Sequence, residues 1–221
     1  MNTLNNVLII EEEPLMTYTI IEALKEITQQ ESTLDFKTQC VDDYKTALAE
    51  IKDHKRLKLV FLYIDIASNM QNFKLIKDIV TNIRYHSPEV KLVTFTGHKN
   101  NYLTIDIIKT INPESILLKT ETTFKGLVKA IENVINGNPF YSSTFMRLLR
   151  LRMSCDILID KKDRLILYYL SLGIRNSELP DLIFLSKSGI ENRKRNLKIL
   201  FNVECKSDYF LIEQARLKGF I

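Results

Sequence analysis

The twelve residues Lys187–Lys198 carry five cationic side chains: Lys187, Arg193, Lys194, Arg195 and Lys198. Ser186 precedes them as an N-cap. Ile190, Leu197, Ile199 and Leu200 supply the apolar contacts that would seat such a helix on a core. A helix of this kind can enter a major groove while its flanking cations take phosphates. Ser188, Glu191 and Asn192 complete the set that would face a duplex. Glu191 would repel phosphate, yet it can accept a hydrogen bond from a cytosine amino group. The plainer alternative is a solvated charged face on a structural bundle.

The charge distribution agrees with a polyanion binder in the second half. From Arg147 onward there are 15 Lys/Arg and 9 Asp/Glu, a net of +6, whereas the preceding residues net −2. An acidic half followed by a basic one suggests a sensing or docking module joined to a nucleic-acid binder. Other chemistry is sparse. Cys40, Cys155 and Cys205 have no zinc-ligand spacing, and His54, His86 and His98 are scattered. No nucleophile–base pair or complete metal set appears, so an enzyme is not expected.

At 221 residues and 45% hydrophobic composition, the chain can build two domains with real cores. No apolar run approaches the roughly 18 residues of a membrane helix. The opening MNTLNNVLIIEEEP turns acidic too early for a secretory signal. An odd number of separated cysteines fits a reducing, cytoplasmic setting.

These residues need elements to hold them. Val7–Ile10 is a continuous apolar run of the kind a buried parallel strand shows. Further strands are expected near Leu34–Thr38, Leu57–Ile66, Val90–Thr96 and Ser115–Leu118. Helical patterns fall at Leu15–Ile27, Asp42–His54, Asn72–Tyr85, Tyr102–Thr110 and Thr122–Asn136. Alternation of this kind means an open α/β sheet with helices on both faces, here five parallel strands, doubly wound in the flavodoxin-like manner. Ligands of such sheets sit outside the carboxyl ends of the strands. The residues there are Glu11, Glu12 and Glu13, then Tyr63 or Asp65, then Thr96, then Lys119.

VLIIEEEP, KLVTFTGH and SILLKT, in that order, resemble the strand ends of the receiver domain of two-component response regulators, over roughly residues 5–137. In that family an acidic pair and an Asp on the third strand hold Mg²⁺, and the Asp accepts a phosphoryl group. A small hard cation wants carboxylate oxygens, and the developing phosphoryl charge wants a cation, an ammonium and a hydroxyl around it. The resemblance implies Glu11 and Glu12 as the acidic pair, Thr96 as the hydroxyl and Lys119 as the ammonium. The third strand departs from it. KLVFLYIDIAS, laid on without a gap, places Tyr63 on the nucleophile, Ala67 on the usual Pro and Gln71 on the usual Gly. Asp65 has the same strand parity and is the alternative acceptor after a two-residue shift. Tyr63 cannot form an aspartyl phosphate, and a neutral phenol is a poor Mg²⁺ ligand. Ile116 replaces the aromatic switch residue. The plain alternatives are that Glu11–Glu13 are solvated, that Lys119 faces solvent or pairs with Glu12, and that Thr96 caps a loop.

In the second half, Gly137 fits a helix C-cap, and a linker helix is expected over Ser143–Met153. Helices then follow at Lys161–Leu172, Ser177–Phe184, Lys187–Phe201 and Ser207–Lys218. The stretch from Ile159 to about Ala215 resembles the LuxR/NarL-type helix-turn-helix domain. Gly173 matches its turn glycine, Asn176, Glu178 and Leu179 its scaffold helix, and Phe184, Leu185 and Ser186 its turn. Ile190, Leu197 and Val203 match core positions. The usual Lys and His of the recognition helix are Glu191 and Arg193, and Pro180 removes a backbone donor from the scaffold helix.

The expected organisation is a receiver-like domain over 1–137, a linker helix within 138–157 and an all-α four-helix helix-turn-helix domain over 158–221. The expected function is a DNA-binding transcriptional regulator of the NarL/FixJ type, a homodimer, with a receiver not phosphorylated on Asp. One alternative is a conventional phosphorylation-activated regulator using Asp65, with Mg²⁺ held by Glu11, Glu12 and Asp65. The other is a protein-interaction adaptor without DNA. The expected partners are double-stranded DNA, a second copy and a histidine kinase or other signalling protein. No membrane partner is expected, and no cofactor is expected unless Asp65 is the acceptor, when Mg²⁺ is possible.

Overall fold

The structure, a computed structural model, describes residues 3–51, 56–64, 70–97 and 107–221. Asp65, Ala67, His54, His98 and most of the helix expected at 102–110 lie outside the described residues.

The chain divides into two compact units, the first ending at Phe145 and the second beginning at Met146. The first is an all-parallel sheet in the order β2-β1-β3-β4-β5-β6. Its strands are β1 (Thr3–Ile10), β2 (Leu34–Val41), β3 (Leu57–Tyr63), β4 (Lys91–Thr96), β5 (Ser115–Leu118) and β6 (Phe140–Tyr141). The sheet therefore has six strands where five were expected. The sixth has two residues, too few to show any hydrophobic period, and it extends the edge by pairing with Ser115 and Ile116.

The helices of this unit are α1 (Pro14–Gln30), α2 (Tyr44–Glu50), α3 (Met70–His86) and α4 (Phe124–Ile135), and residues 107–111 are also helical. Pro14 opens α1, where a missing N–H costs nothing. Asp43 caps α2, accepting from the backbone of Lys45 and Thr46, and Thr123 caps α4. Strand alternation decides the core. Val7, Ile9, Leu59, Phe61, Tyr63, Val93, Phe95 and Leu117 form one cluster with Ile20, Leu24, Ile27, Leu127, Ile131 and Val134 of α1 and α4. Leu8, Ile10, Val60 and Leu62, of opposite parity, are equally buried. Ile116 is also buried.

α5 (Ser143–Met153) runs across the division between the units. The second unit continues with α6 (Lys161–Ser171), α7 (Leu179–Ile183), α8 (Lys187–Leu200) and α9 (Asp208–Leu217). Their core joins Ile166, Leu167, Leu170, Leu179, Ile183, Ile190, Leu197, Phe201, Val203, Leu211 and Ala215. A reciprocal capping box, Asp160 with Asp163, starts α6. Gly173 at φ +80° follows α6, and Gly137 at φ +84° follows α4. Pro180 costs no helix bond: α7 starts at Leu179, so Pro180 lies in its first turn rather than inside a longer helix. The three cysteines form no disulfide. Among the described residues, no helix is long and apolar enough to cross a membrane.

Candidate functional site

The carboxyl ends of β1, β3 and β5 bring Glu11, Tyr63 and Lys119 together. β1 ends at Ile10, so Glu11 is the next residue, and its side chain is 1% exposed. Tyr63 is the last residue of β3. Lys119 follows β5 and opens a short 3₁₀ turn, Lys119–Glu121. The Lys119 ammonium donates to Glu11 Oε1 at 2.8 Å, lies 3.3 Å from Glu13 Oε1 and stands 3.9 Å from the centroid of the Tyr63 ring. Carboxylates and an aromatic face are both favourable surroundings for an ammonium shielded from water.

Glu11 Oε1 also accepts from the Glu13 backbone N–H, whereas Glu11 Oε2 is buried without a hydrogen-bond partner. Burial lifts the Glu11 carboxyl above its ordinary pKa. The hydrogen bond from Lys119 pulls the other way without overcoming it. Tyr63 is braced by its own backbone, whose carbonyl accepts from the Tyr44 hydroxyl at 2.7 Å. A Cβ on Gly97 would lie 3.4 Å from the Tyr63 hydroxyl, so the phenol reaches toward the end of β4. A cavity of about 170 Å³ opens here, lined by Glu11, Glu12, Asp42, Asp43, Tyr44 and Tyr63.

Of the residues read from the sequence, the structure unites Glu11, Tyr63 and Lys119. Glu12 lines the same cavity but is exposed. Thr96 ends β4 and pairs in register with Leu118, one residue before Lys119. Lys119 pairs with Glu11 and Glu13, and it is only 13% exposed. Asp42, Asp43 and Tyr44 also line the cavity, between the end of β2 and the first residue of α2, where the sequence carries no recognisable motif. Among the described residues, the donor set does not suit Mg²⁺. Its one buried carboxylate is already bonded to an ammonium, and a phenol ends β3. Among the described residues no cluster of three or more Asp, Glu, His or Cys is placed to hold a metal ion.

The second candidate is α8. Ser186 caps it, its hydroxyl accepting from Gly189 N–H at 3.1 Å. Three of the cations proposed for DNA have partners within the protein. Arg193 donates to Asp160 Oδ2 at 2.7 Å and to Asp163 Oδ1 at 2.8 Å, joining α8 to the start of α6. Lys194 is buried and pairs with Asp208 Oδ2 at 2.7 Å, with Glu191 at 3.6 Å. Lys198 reaches Asp208 Oδ1 at 2.9 Å and the Lys206 carbonyl at 2.8 Å. Burial resists ionisation of Asp208, but the hydrogen bonds from Lys194 and Lys198 prevail and hold its pKa below the ordinary value. The exposed face of α8 carries Ser188, Glu191, Asn192, Arg195 and Ile199, with Lys187 at its amino end. Those spacings of three, four and seven residues place Ser188, Glu191, Asn192 and Arg195 on one side of the helix.

No family model matches the chain, and no curated protein matches it by sequence. Solved structures do match. RcsB from Salmonella enterica serovar Typhimurium, bound to a promoter with phosphomimetic BeF₃⁻, is 16% identical with a TM-score of 0.60, over 98% of this chain and 99% of that one. A structure of two RcsB dimers bound to two parallel DNAs is 15% identical, TM-score 0.58, over 97% and 99%. A Salmonella typhimurium RcsB response regulator structure gives 16% and 0.53 over 96% and 98%. This chain therefore has the fold of those proteins over nearly its whole length, a parallel α/β unit followed by a helical one.

Proposed function

We propose that the chain is a DNA-binding transcriptional regulator that acts as a homodimer and does not depend on phosphorylation of an aspartate. The exposed face of α8 carries this reading. Ser188, Asn192, Arg195 and Glu191 stand side by side, unburied, on a helix with a well-formed cap and a seated core. Arg suits guanine, Asn suits adenine and Glu suits a cytosine amino group. The likeness to RcsB structures that contain dimers and DNA supports the same reading. A dimer is expected because one short helix reads too few bases for useful specificity. Tyr63 at the end of β3, beneath the Lys119 ammonium, supports activity without an aspartyl phosphate.

The internal pairing of Arg193, Lys194 and Lys198 favours a second reading, a protein-interaction adaptor, because it leaves few cations for phosphate. The test is a fluorescence titration of the full chain against genomic-pool and random duplexes at several salt concentrations. Salt-dependent binding with a preferred site supports the regulator. No salt-dependent binding to either pool leaves the adaptor. Sedimentation at tens of micromolar should show a dimer without any phosphoryl donor, and a monomer with and without DNA counts against the proposed assembly.

A further inference from the structure

The turn that Lys119 opens does a second thing. Its last residue, Glu121, reaches the amino end of α5. The Thr144 backbone N–H and the Ser143 hydroxyl each stand 3.3 Å from Glu121 Oε2, and the Thr144 hydroxyl donates to Glu121 Oε1. The first N–H groups of a helix lack partners of their own, and an anion there is favourable. Pairing of β6 with β5 fixes the chain as far as Ser142, whose N–H donates to the Ile116 carbonyl at 2.9 Å. From Ser143 onward the hold passes to Glu121. Three residues therefore link the strand-end pocket to the start of the helix that runs into the second unit.

We propose that Lys119 is the fixed counter-charge of the strand-end pocket, standing where a divalent cation would otherwise serve, and that the turn it opens holds the start of α5 through Glu121. Lys119 suits the role because it is anchored on three sides, by Glu11, by Glu13 and by the Tyr63 ring. The 3₁₀ turn that follows the held ammonium presents the Glu121 carboxylate to Thr144. No phosphoryl group or metal is needed to set this arrangement. The proposal concerns the first unit and the start of α5, and it holds whether or not the second unit binds DNA.

The experiment is native-state hydrogen exchange on the full chain, comparing Lys119→Met and Glu121→Ala with the wild type. Both substitutions should speed exchange at Thr144 and the next two amides of α5 by about tenfold, with the β4 amides unchanged. Lys119→Met leaves Glu11 buried without its counter-charge, so the double variant Glu11→Leu/Lys119→Met is measured beside it. That pair removes both charges and should show the same local acceleration. If α5 exchanges at the wild-type rate in both Lys119 variants while Glu121→Ala speeds it, the link from pocket to helix is wrong. In the wild type, millimolar Mg²⁺ should leave the unfolding temperature where it was. A saturable Mg²⁺-induced rise would overturn the role given to Lys119.

Discussion

The Lys194 ammonium lies 2.7 Å from the Asp208 carboxylate, and 6% of the Lys194 side chain is exposed. A cation on the helix proposed to meet DNA thus serves the interior, tying α8 to the first residue of α9. Asp208 holds Lys198 as well, at 2.9 Å. One carboxylate therefore bridges two ammonium groups.

The pair makes an asymmetric prediction. Asp208→Asn strands a buried ammonium and should cost about 3 kcal/mol. Lys194→Met removes the buried charge and leaves Asp208 partly exposed and still paired with Lys198, so its cost should stay under about 1.5 kcal/mol. The pH dependence follows from the lowered Asp208 pKa. Its stabilisation is present above the unfolded carboxylate value, near pH 4, and is lost as pH falls through the lower folded value. Calorimetry of the full chain between pH 2 and 7 should show this acid loss in the wild type, and a smaller one in Asp208→Asn.

Phe184 gives a prediction of opposite sign. It ends α7 in the left-handed region, φ 56° and ψ 53°, and is 87% exposed. A non-glycine residue there is strained, and this ring buries almost nothing in return. Phe184→Gly should raise stability by about 0.5–1 kcal/mol, with urea midpoints as the measurement. A loss of stability would mean that the ring has a packing role in solution.

Much of this architecture is legible in the residues themselves. The apolar runs at Val7–Ile10 and Ser115–Leu118 are strands, and Ser143–Met153 and Lys187–Leu200 are helices. Periodicity and caps are local properties, so they can be read along the chain. Partners across elements are not local. Arg193 finds Asp160 and Asp163, 33 and 30 residues away, because α8 happens to cross the start of α6. A run of cations therefore overstates the charge available to DNA. The strand-end acids show the same limit: Glu11 and Glu12 are adjacent and read as a pair, yet one is buried against Lys119 and the other is exposed. Consecutive residues at a strand end point to different sides.

Acetyl phosphate with Mg²⁺ should leave the intact mass unchanged. Tyr63 ends β3, and Lys119 already lies on the adjoining carboxylate and ring. Intact-mass spectrometry after incubation measures this directly. A phosphorylated species that disappears in Asp65→Asn would establish the conventional mechanism instead.

If α8 meets DNA as proposed, its exposed face would read bases while its paired cations support the fold, and the two classes should respond differently to substitution. Arg195 is exposed beside Asn192 and Ser188. If it bonds a guanine, Arg195→Ala should weaken the preferred site by about 1–3 kcal/mol and relax the choice of base there. Arg193 is held by two aspartates, so Arg193→Ala should lower thermal stability while leaving the salt slope of binding unchanged. Glu191 decides how the face is used. Reading a cytosine amino group requires that Glu191→Ala weaken the preferred site and spare random DNA. Acting only as an anion requires that Glu191→Lys strengthen all DNA alike and steepen the salt slope by about 1. Titrations of these variants against selected and random duplexes at three salt concentrations separate the outcomes. A salt slope that falls by about 1 in Arg193→Ala would show that Arg193 contacts phosphate and would overturn its supporting role.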